Sequence, residues 1–172
     1  MCFKFKQLFF YNSLGGAIIT NGRIQQGRTG RTGTVEHMTL VEGGRSCYCG
    51  KQGCMECYCS AEALLEPEEQ LSDFFTLLRQ GSEQHSLRWS QYLDHLALAL
   101  NNLHMVLDCL IVLGGHIAPY LTKTDLDVLF SKVQERTAFP EQENFLLLGA
   151  QENNAVAAGA AIPFIRTFLS AI

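Results

Sequence analysis

The sequence predicts a single domain of the mixed α/β class, and three observations predict it. Short β-branched and aromatic runs begin the chain, an apolar helical stripe of about five turns occupies its middle, and alternating strand and helix patterns close it. The length of 172 residues suits one domain with its own core. Hydrophobic residues make up 47% of the chain and charged residues 17%, which is typical of a packed globular protein rather than a disordered one.

Charge and hydropathy exclude several classes of function. A formal net charge of −4 leaves no basic surface for a phosphate backbone, so we expect no nucleic-acid binding by this chain alone. No stretch approaches the roughly 20 apolar residues of a membrane span, and the N-terminal apolar run is too short for a signal peptide. We therefore expect a cytoplasmic protein without a membrane partner, whose seven cysteines are reduced thiols or metal ligands rather than disulfides.

The first third of the chain predicts a hairpin and a long loop. Residues 5–12 are rich in Phe and Tyr, and "GAIITNGRIQQG" places two short runs on either side of an Asn-Gly turn at residues 21 and 22. Residues 28–46 are dominated by Gly, Thr and Arg, which indicates a loop. Loops of this length commonly carry functional residues.

The middle of the chain is predicted to be helical. Ser60 can cap a short helix, and a second helix begins at Ser72 or the acidic run before it and ends at Gly81. A long helix is then predicted from apolar residues that recur at steps of three and four positions. These residues are Trp89, Tyr92, Leu93, Leu96, Leu100, Leu103 and Leu107.

Strands and helices alternate in the remainder. The run "CLIVLGG", residues 109–115, is continuously apolar and ends in two glycines, which predicts a strand buried on both faces. A helix over about residues 124–136 leads to the short strand "FLLLG", and a small-residue helix closes the chain.

The segment "CYCGKQGC", residues 47–54, is the strongest candidate site. Cys47, Cys49 and Cys54 form a set with His37, and one imidazole with three thiolates is a donor set that Zn²⁺ prefers in a tetrahedron. The glycines of the segment allow a tight loop. Thiols clustered by chance and a redox pair are the alternatives, but the segment lacks the C-x-x-C pair that a redox site needs.

The other four cysteines are interpreted as structural. Cys57 and Cys59, near a helix start, are expected to be buried or half-buried thiols, with a role as spare ligands as the alternative. Cys2 is expected to be a terminal residue and Cys109 a core residue.

These motifs resemble those of a known family. "GRSCYCGKQGCMECYCS", preceded by "GTVEHM", is similar to the E-x-G-H and C-x-C-G-x-x-G-C-x-E pattern of the ROK family of repressors, open reading frames and sugar kinases. By position, the resemblance implies that His37, Cys47, Cys49 and Cys54 bind a structural Zn²⁺, and that His37 and Glu56 contact a sugar. Three further stretches, "LGGAIITNGRIQQG", "VLDCLIVLGGHIAP" and "AAGAAI", extend it over nearly the whole chain.

The resemblance implies a ribonuclease-H-like fold, the two-lobed fold of actin-like ATPases and sugar kinases. Residues 1–172 would be mainly its C-terminal lobe, with the zinc loop at about residues 34–56. The N-terminal lobe and any DNA-binding domain are expected to be absent from the chain. With that lobe would go the phosphate-binding hairpin and the kinase general base, so catalysis by this chain alone is not expected.

Two departures from the family pattern concern the sugar pocket. Thr34 stands where the family has a glutamate, and Glu36 stands where it has a glycine. Either the glutamate is lost or it has shifted to Glu36, where we expect the loop geometry to point it elsewhere. In the hairpin, Asn12 and Ser13 replace a Thr and a Gly, which weakens the expected phosphate contact.

Other candidate residues have structural alternatives. Glu56 can instead be a helix N-terminal charge that stabilises the dipole. Gly114 and Gly115 can line an adenosine, as the resemblance implies, or simply end a strand. His104, on or beside the apolar helix face, is expected to be a packed residue rather than a ligand.

The function inferred from this resemblance is that of a sugar-sensing regulatory domain of a ROK-family transcriptional regulator, similar to the N-acetylglucosamine-type repressors. We expect a structural Zn²⁺, a sugar or amino-sugar effector, DNA contact only through a separate N-terminal domain, and a homo-oligomer such as a dimer. The alternatives are a fragment of an ATP-dependent ROK sugar kinase of glucokinase or amino-sugar kinase type, with ATP as its cofactor, and a truncated degenerate member.

Overall fold

A computed structural model describes residues 4–10, 13–149 and 165, with the backbone alone for residues 4–10. It contains one five-stranded mixed sheet in the order β3-β2-β1-β4-β5. The strands are β1 Lys4–Phe10, β2 Leu14–Thr20, β3 Arg23–Ile24, β4 Leu110–Gly115 and β5 Leu146–Leu148. The pairs β1–β2 and β2–β3 are antiparallel, and the pairs β1–β4 and β4–β5 are parallel. The predicted mixed α/β class is confirmed.

The predicted hairpin is confirmed as β2 and β3. Ile19 pairs with Ile24 across the two strands. Asn21 and Gly22 form the turn, with φ of 54° and 71°. A two-residue turn with both φ values positive matches the right-handed twist of the strands it joins, which explains the Asn-Gly pair. The predicted loop at residues 28–46 follows, interrupted by a single 3₁₀ turn at Val35–His37.

Five helices lie within the described residues. They are α1 Glu56–Cys59, α2 Ala61–Leu64, α3 Leu71–Arg79, α4 Glu83–Leu107 and α5 Lys123–Gln134. The Ser60 hydroxyl accepts a hydrogen bond from the Ala63 N–H at 3.2 Å, which confirms the predicted cap of α2. Helix α3 begins at Leu71, directly after the acidic run and with Gln70 at its N-cap position, so the second of the two predicted starts is the correct one.

The core joins these helices to β4. Helix α4 packs against α1, α2, α3 and α5, and its predicted apolar stripe is buried except at Leu107, which is half-buried. In β4, Ile111 and Leu113 are fully buried, but Val112 is half-buried. The prediction of a strand buried on both faces is therefore correct for one face only.

The C-terminal segment falls almost entirely outside the described residues. The predicted closing helix, like Asn12 and Cys2, lies outside the described residues, apart from Ile165, which is helical. Across the part of the chain that the structure describes, no helix combines the length and apolar character needed to cross a lipid bilayer.

A candidate metal centre beside a buried glutamate

Residues 38–55 form a tight loop. A glycine occupies the point where two stretches of its backbone come closest to each other. Gly53 has φ of 77°, and a Cβ there would lie 1.7 Å from the Val41 carbonyl oxygen, so other residues are excluded. The Gly53 carbonyl accepts from the Leu40 N–H at 2.7 Å, and the Cys47 N–H donates to the Lys51 carbonyl at 2.8 Å. These bonds close "CYCGKQGC" into a turn and attach it to the segment that precedes it.

The four predicted ligands converge inside this loop. One ligand atom from each of His37, Cys47, Cys49 and Cys54 lies within 4.8 Å of all the others. The Cys49 and Cys54 sulfurs are 3.7 Å apart, and the His37 Nδ1 lies 3.8 Å from the Cys47 sulfur. The structure therefore brings together residues that are up to 17 positions apart in the sequence.

These distances fit a tetrahedral zinc site. With Zn–S bonds of about 2.3 Å, two thiolates of a tetrahedron stand about 3.8 Å apart, close to the distance between Cys49 and Cys54. Cys54 has 0% exposure and Cys47 is buried, whereas Cys49 is exposed and His37 half-buried. A metal ion held here would be enclosed from the protein side and reached from the Cys49 side.

Three thiolates can lie this close together only when a cation neutralises their negative charges. Burial, with hydrogen bonds to Cys49 and Cys47, raises the pKa of Cys54 to about 12. A backbone hydrogen bond from Lys51 lowers the pKa of Cys49. A bound dication reverses the effect of burial, because it stabilises thiolate directly.

Three other cysteines stand apart from this set. Cys59 is fully buried and Cys109 half-buried. Cys57 is half-buried and donates to the Ser46 carbonyl at 3.6 Å. Cys54 and Cys57 have C-x-x-C spacing, which the interpretation of residues 47–54 alone missed, but burial raises the pKa of Cys57, unlike that of an activated redox thiol.

Glu56, the first residue of α1, lies against the start of the sheet. Its side chain has 6% exposure, and its Oε2 accepts from the Leu14 N–H at 2.8 Å. Burial raises the pKa of Glu56, the Leu14 hydrogen bond opposes this, and the charge of Glu36 adds to it. Glu56 therefore links the candidate metal loop to β2, in addition to its helix N-terminal position.

Thr34 and Glu36, the two departures from the family pattern, have different surroundings. Thr34 is exposed, and its hydroxyl donates to the Arg31 carbonyl of its own loop at 2.8 Å. Glu36, expected to point elsewhere, has a carboxylate oxygen buried with no hydrogen-bond partner among the described residues. Its charge raises the pKa of Glu56. Glu36 lies within the 3₁₀ turn Val35–His37, next to His37 in the chain.

Tyr48 is a residue of this site that the sequence interpretation missed. Its side chain is 72% exposed, yet its hydroxyl lies 3.4 Å from the His37 Nε2 and its ring meets the His37 ring edge to face at 5.2 Å. The signal in the sequence was its position between two candidate ligands, because a side chain at that position must point out of the cluster.

A second feature that the sequence did not predict attaches the loop to α4. The Tyr58 hydroxyl accepts from the Arg45 N–H at 2.8 Å, and the Arg45 guanidinium lies 5.0 Å from the Tyr58 ring centroid. The His95 ring of α4 packs against the Tyr58 ring, with the ring centroids 4.7 Å apart. These side chains line an open polar cavity of about 310 Å³ between the loop and α4.

The remaining candidates lie outside this site. His104 packs on the Phe145 ring at 3.7 Å, in agreement with its expected packed position, and its Nε2 faces Glu141. Gly115 ends β4 with φ of 82°, a conformation that favours glycine, and Gly114 is buried beside it. Ser13 is exposed.

Comparison with known proteins gives one family and two kinds of relative. The family model described as "ROK family" matches residues 12–166. The chain is 29% identical over 135 residues to an N-acetyl-D-glucosamine kinase of Salmonella arizonae, an alignment that covers 68% of this chain and 45% of that protein. The chain thus spans less than half the length of this curated relative.

Solved structures define the fold. A ROK family glucokinase from Streptomyces griseus, in complex with glucose and AMPPNP, superposes with a TM-score of 0.81 at 21% identity, covering 92% of this chain and 59% of that one. A ROK family transcriptional regulator, homologous to the E. coli MLC protein, has a TM-score of 0.70 at 21% identity, covering 84% of this chain and 41% of that one. The predicted ribonuclease-H-like fold is confirmed, and it serves both kinds of protein.

Proposed function

Because the chain belongs to the ROK family, we propose that it is the sugar-sensing lobe of a cytoplasmic transcriptional regulator, stabilised by a structural zinc ion. Residues 1–172 are then the C-terminal lobe, with the zinc loop at about residues 34–56. We assign DNA contact to a separate segment, because a net charge of −4 gives this lobe no excess of basic residues to hold a phosphate backbone. Assembly into a homo-oligomer stays a prediction.

The zinc ligands in this proposal are His37, Cys47, Cys49 and Cys54. The support is the mutual distance of at most 4.8 Å between their ligand atoms, together with the 3.7 Å tetrahedral edge between two sulfurs. When bound, zinc supplies charge neutralisation for three thiolates. The chain contributes a loop whose backbone hydrogen bonds place the ligands around a common centre.

The position of His37 carries the proposal of sugar binding. Its Nδ1 faces the Cys47 sulfur, its Nε2 lies 3.4 Å from the Tyr48 hydroxyl, and its charge lowers the pKa of Glu56. An imidazole N–H beside a buried carboxylate provides one donor and one acceptor. Adjacent hydroxyls of a sugar match such a pair.

Glu36 adds a further hydrogen-bond acceptor to this proposed site. Its buried, unpartnered oxygen needs a hydrogen-bond donor, because a buried carboxylate oxygen without one is costly. A sugar hydroxyl or the N–H of an acetylated amino sugar is such a donor. Glu36 thus supplies an acceptor near Glu56 in the absence of a glutamate at position 34.

We prefer a regulator to a kinase because a bound sugar, without any reaction, provides the hydrogen-bond partners that these side chains need. Thr34 bonds within its own loop, so the family's glutamate has no replacement at its usual position. A sensor tolerates such a change, since it needs no transition-state geometry, whereas phosphoryl transfer depends on positioning.

A sugar kinase is the second candidate, with ATP as its cofactor. The observation in its favour is the similarity to N-acetyl-D-glucosamine kinases, at 29% identity over 68% of this chain. Its activity would require the lobe that those relatives contain in addition to the part aligned here.

Calorimetry on the zinc-loaded protein tests the sugar site, which both candidates share. We expect N-acetylglucosamine to bind with micromolar to millimolar affinity, and Glu56→Gln to weaken binding at least about ten-fold through loss of a charged acceptor. The matched control is Glu62→Gln, an exposed carboxylate six residues further on, which should bind as the wild type does.

Two results would contradict this proposal in different ways. No heat with millimolar N-acetylglucosamine or glucose would remove the sugar site. Sugar-dependent release of ADP from ATP by this chain, abolished by Glu56→Gln, would establish the kinase instead. A coding sequence for a helix-turn-helix ahead of residue 1 would support the regulator.

A further inference from the structure

A second group of metal-ligating side chains lies at the opposite end of β4 from Gly115. His104 belongs to the last turn of α4, Asp108 is the residue that ends this helix, and Glu141 precedes β5. One ligand atom from each lies within 4.8 Å of the other two. The six residues of β4 separate this end of the strand from its glycine end by roughly 17 Å.

The hydrogen bonds of His104 determine which ring nitrogen is available. Its Nδ1 lies 3.2 Å from the Cys109 carbonyl oxygen, and a carbonyl can only accept, so Nδ1 carries the hydrogen. This is the second-sphere arrangement that orients a metal-binding histidine. The ring is held parallel to the Phe145 ring, at 3.7 Å and 3°. The lone pair of Nε2 therefore points in a defined direction.

Nε2 points at the carboxylate of Glu141. When the imidazole carries a proton on Nε2, this contact is an ion pair, and a divalent ion that displaces the proton binds the same nitrogen and the same carboxylate. Asp108 brings a second carboxylate to the same place, which increases the negative potential there. A single proton on Nε2 satisfies one of these two carboxylates, whereas a divalent ion satisfies both.

Glu141 is held in position independently of this contact. Its N–H donates to the Gln134 Oε1 at 3.1 Å, and its carbonyl accepts from the Gln134 Nε2 at 2.9 Å. Asp108 is held by the helix end, where its N–H donates to the His104 carbonyl at 2.7 Å. The three ligands are therefore carried by backbone that other bonds already fix, as a preorganised site requires.

We propose that His104, Asp108 and Glu141 bind a divalent transition-metal ion, separate from the cysteine cluster and independent of the proposed function. One imidazole and two carboxylates, with open positions for water, form a donor set for Zn²⁺, Co²⁺, Ni²⁺ or Mn²⁺ rather than for soft ions. The ion joins the end of α4 to the segment that enters β5. It thereby ties two elements that are more than 30 residues apart in the sequence.

Cobalt titration of the zinc-loaded protein tests this site. The protein, saturated with one equivalent of zinc and dialysed against metal-free buffer, is titrated with Co²⁺ and followed by calorimetry and visible absorption. We expect one further equivalent to bind, without the intense sulfur-to-cobalt charge-transfer bands that mark thiolate ligation. Glu141→Gln and Asp108→Asn should each weaken this binding at least about ten-fold.

The controls separate loss of ligands from loss of fold. Glu143→Gln removes an exposed carboxylate two residues away and should leave cobalt affinity unchanged. Asn tolerates the left-handed backbone at position 108, where φ is 41°, so Asp108→Asn should keep the wild-type circular dichroism spectrum. Absence of a second equivalent, thiolate bands throughout, or equal losses in Glu141→Gln and Glu143→Gln would each overturn the proposal.

Discussion

The loop at residues 38–55 and the layer of helices α3, α4 and α5 are stabilised in different ways. The helical layer buries large apolar side chains, with Phe74, Phe75 and Trp89 in mutual ring contact. The loop is exposed over much of its length, and its interior is formed by thiols and backbone. The first region is held by water exclusion and the second by ligands and hydrogen bonds. Their responses to metal, mutation and acid should therefore differ.

Metal removal should separate the two regions most strongly. Structural zinc contributes on the order of 10 kcal/mol in small zinc domains, and that stabilisation is folding free energy. We expect Cys54→Ser, at a fully buried ligand position, to lose bound zinc and the hydrogen-exchange protection of the loop, while the helicity of α4 and α5 persists. Metal analysis and hydrogen exchange measure the two effects.

Cys57→Ser is the matched control for this prediction. Cys57 lies three residues from Cys54 but outside the group of four candidate ligands. The Cys57→Ser variant should retain about one equivalent of zinc. Equal zinc loss in both variants would show that the ligand set is wrong.

A core truncation should affect the helical layer and leave the metal in place. Phe74 has 0% exposure, and Phe74→Ala should lower the free energy of unfolding by about 3–5 kcal/mol, because it leaves a cavity among aromatic rings. Leu77→Ala, on the exposed side of α3, should cost about 1 kcal/mol or less. Urea unfolding gives the energies, and unchanged zinc content below the transition would confirm that the regions are separate.

Acid should release the metal before it destabilises the helices. Burial opposes ionisation of Asp125, but the hydrogen bonds from Arg79 and Thr122 outweigh it and hold the pKa of Asp125 below its usual value of 3.8. A carboxyl whose pKa is lower in the folded state stabilises the fold above its unfolded pKa, and this stabilisation is lost as the pH falls through the folded pKa. The zinc ligands, in contrast, are protonated at mildly acid pH.

As the pH falls, we therefore expect zinc to be released before pH 5 is reached. The stability linked to Asp125 should be lost only below about pH 4. Urea unfolding as a function of pH, with zinc analysis at each point, checks the order. Asp125→Asn should reduce the slope of stability against pH below pH 4. Helix unfolding that accompanies zinc release would contradict the independence of the two regions.

The smallest effect is expected at Tyr48. Its exposed hydroxyl contributes little to stability, so Tyr48→Phe should change the free energy of unfolding by less than about 0.5 kcal/mol. Removal of the hydroxyl that faces the His37 Nε2 frees this nitrogen, and we expect about two- to ten-fold tighter sugar binding. Weaker binding by calorimetry would mean that the hydroxyl contacts the sugar instead of competing with it.

Prediction from the sequence succeeded where local pattern and local geometry agree. The Asn-Gly turn, the Ser60 cap and the apolar stripe of α4 are confirmed because each depends on residues within a few positions of one another. Convergence of the four candidate ligands also follows from local chain folding, since three of them lie within eight residues. The burial of β4 was overestimated because its second face depends on what packs there.

The amino-acid sequence by itself determined the α/β class, the hairpin, the helices and the donor set of the cysteine loop, because periodicity, turn residues and ligand spacing act over short distances. Only the tertiary structure decided the burial of a Glu36 carboxylate oxygen, the approach of Tyr48 to His37, and the meeting of His104 with Glu141. Side-chain direction and contacts between distant segments depend on how the elements pack, and no spacing in the chain encodes them.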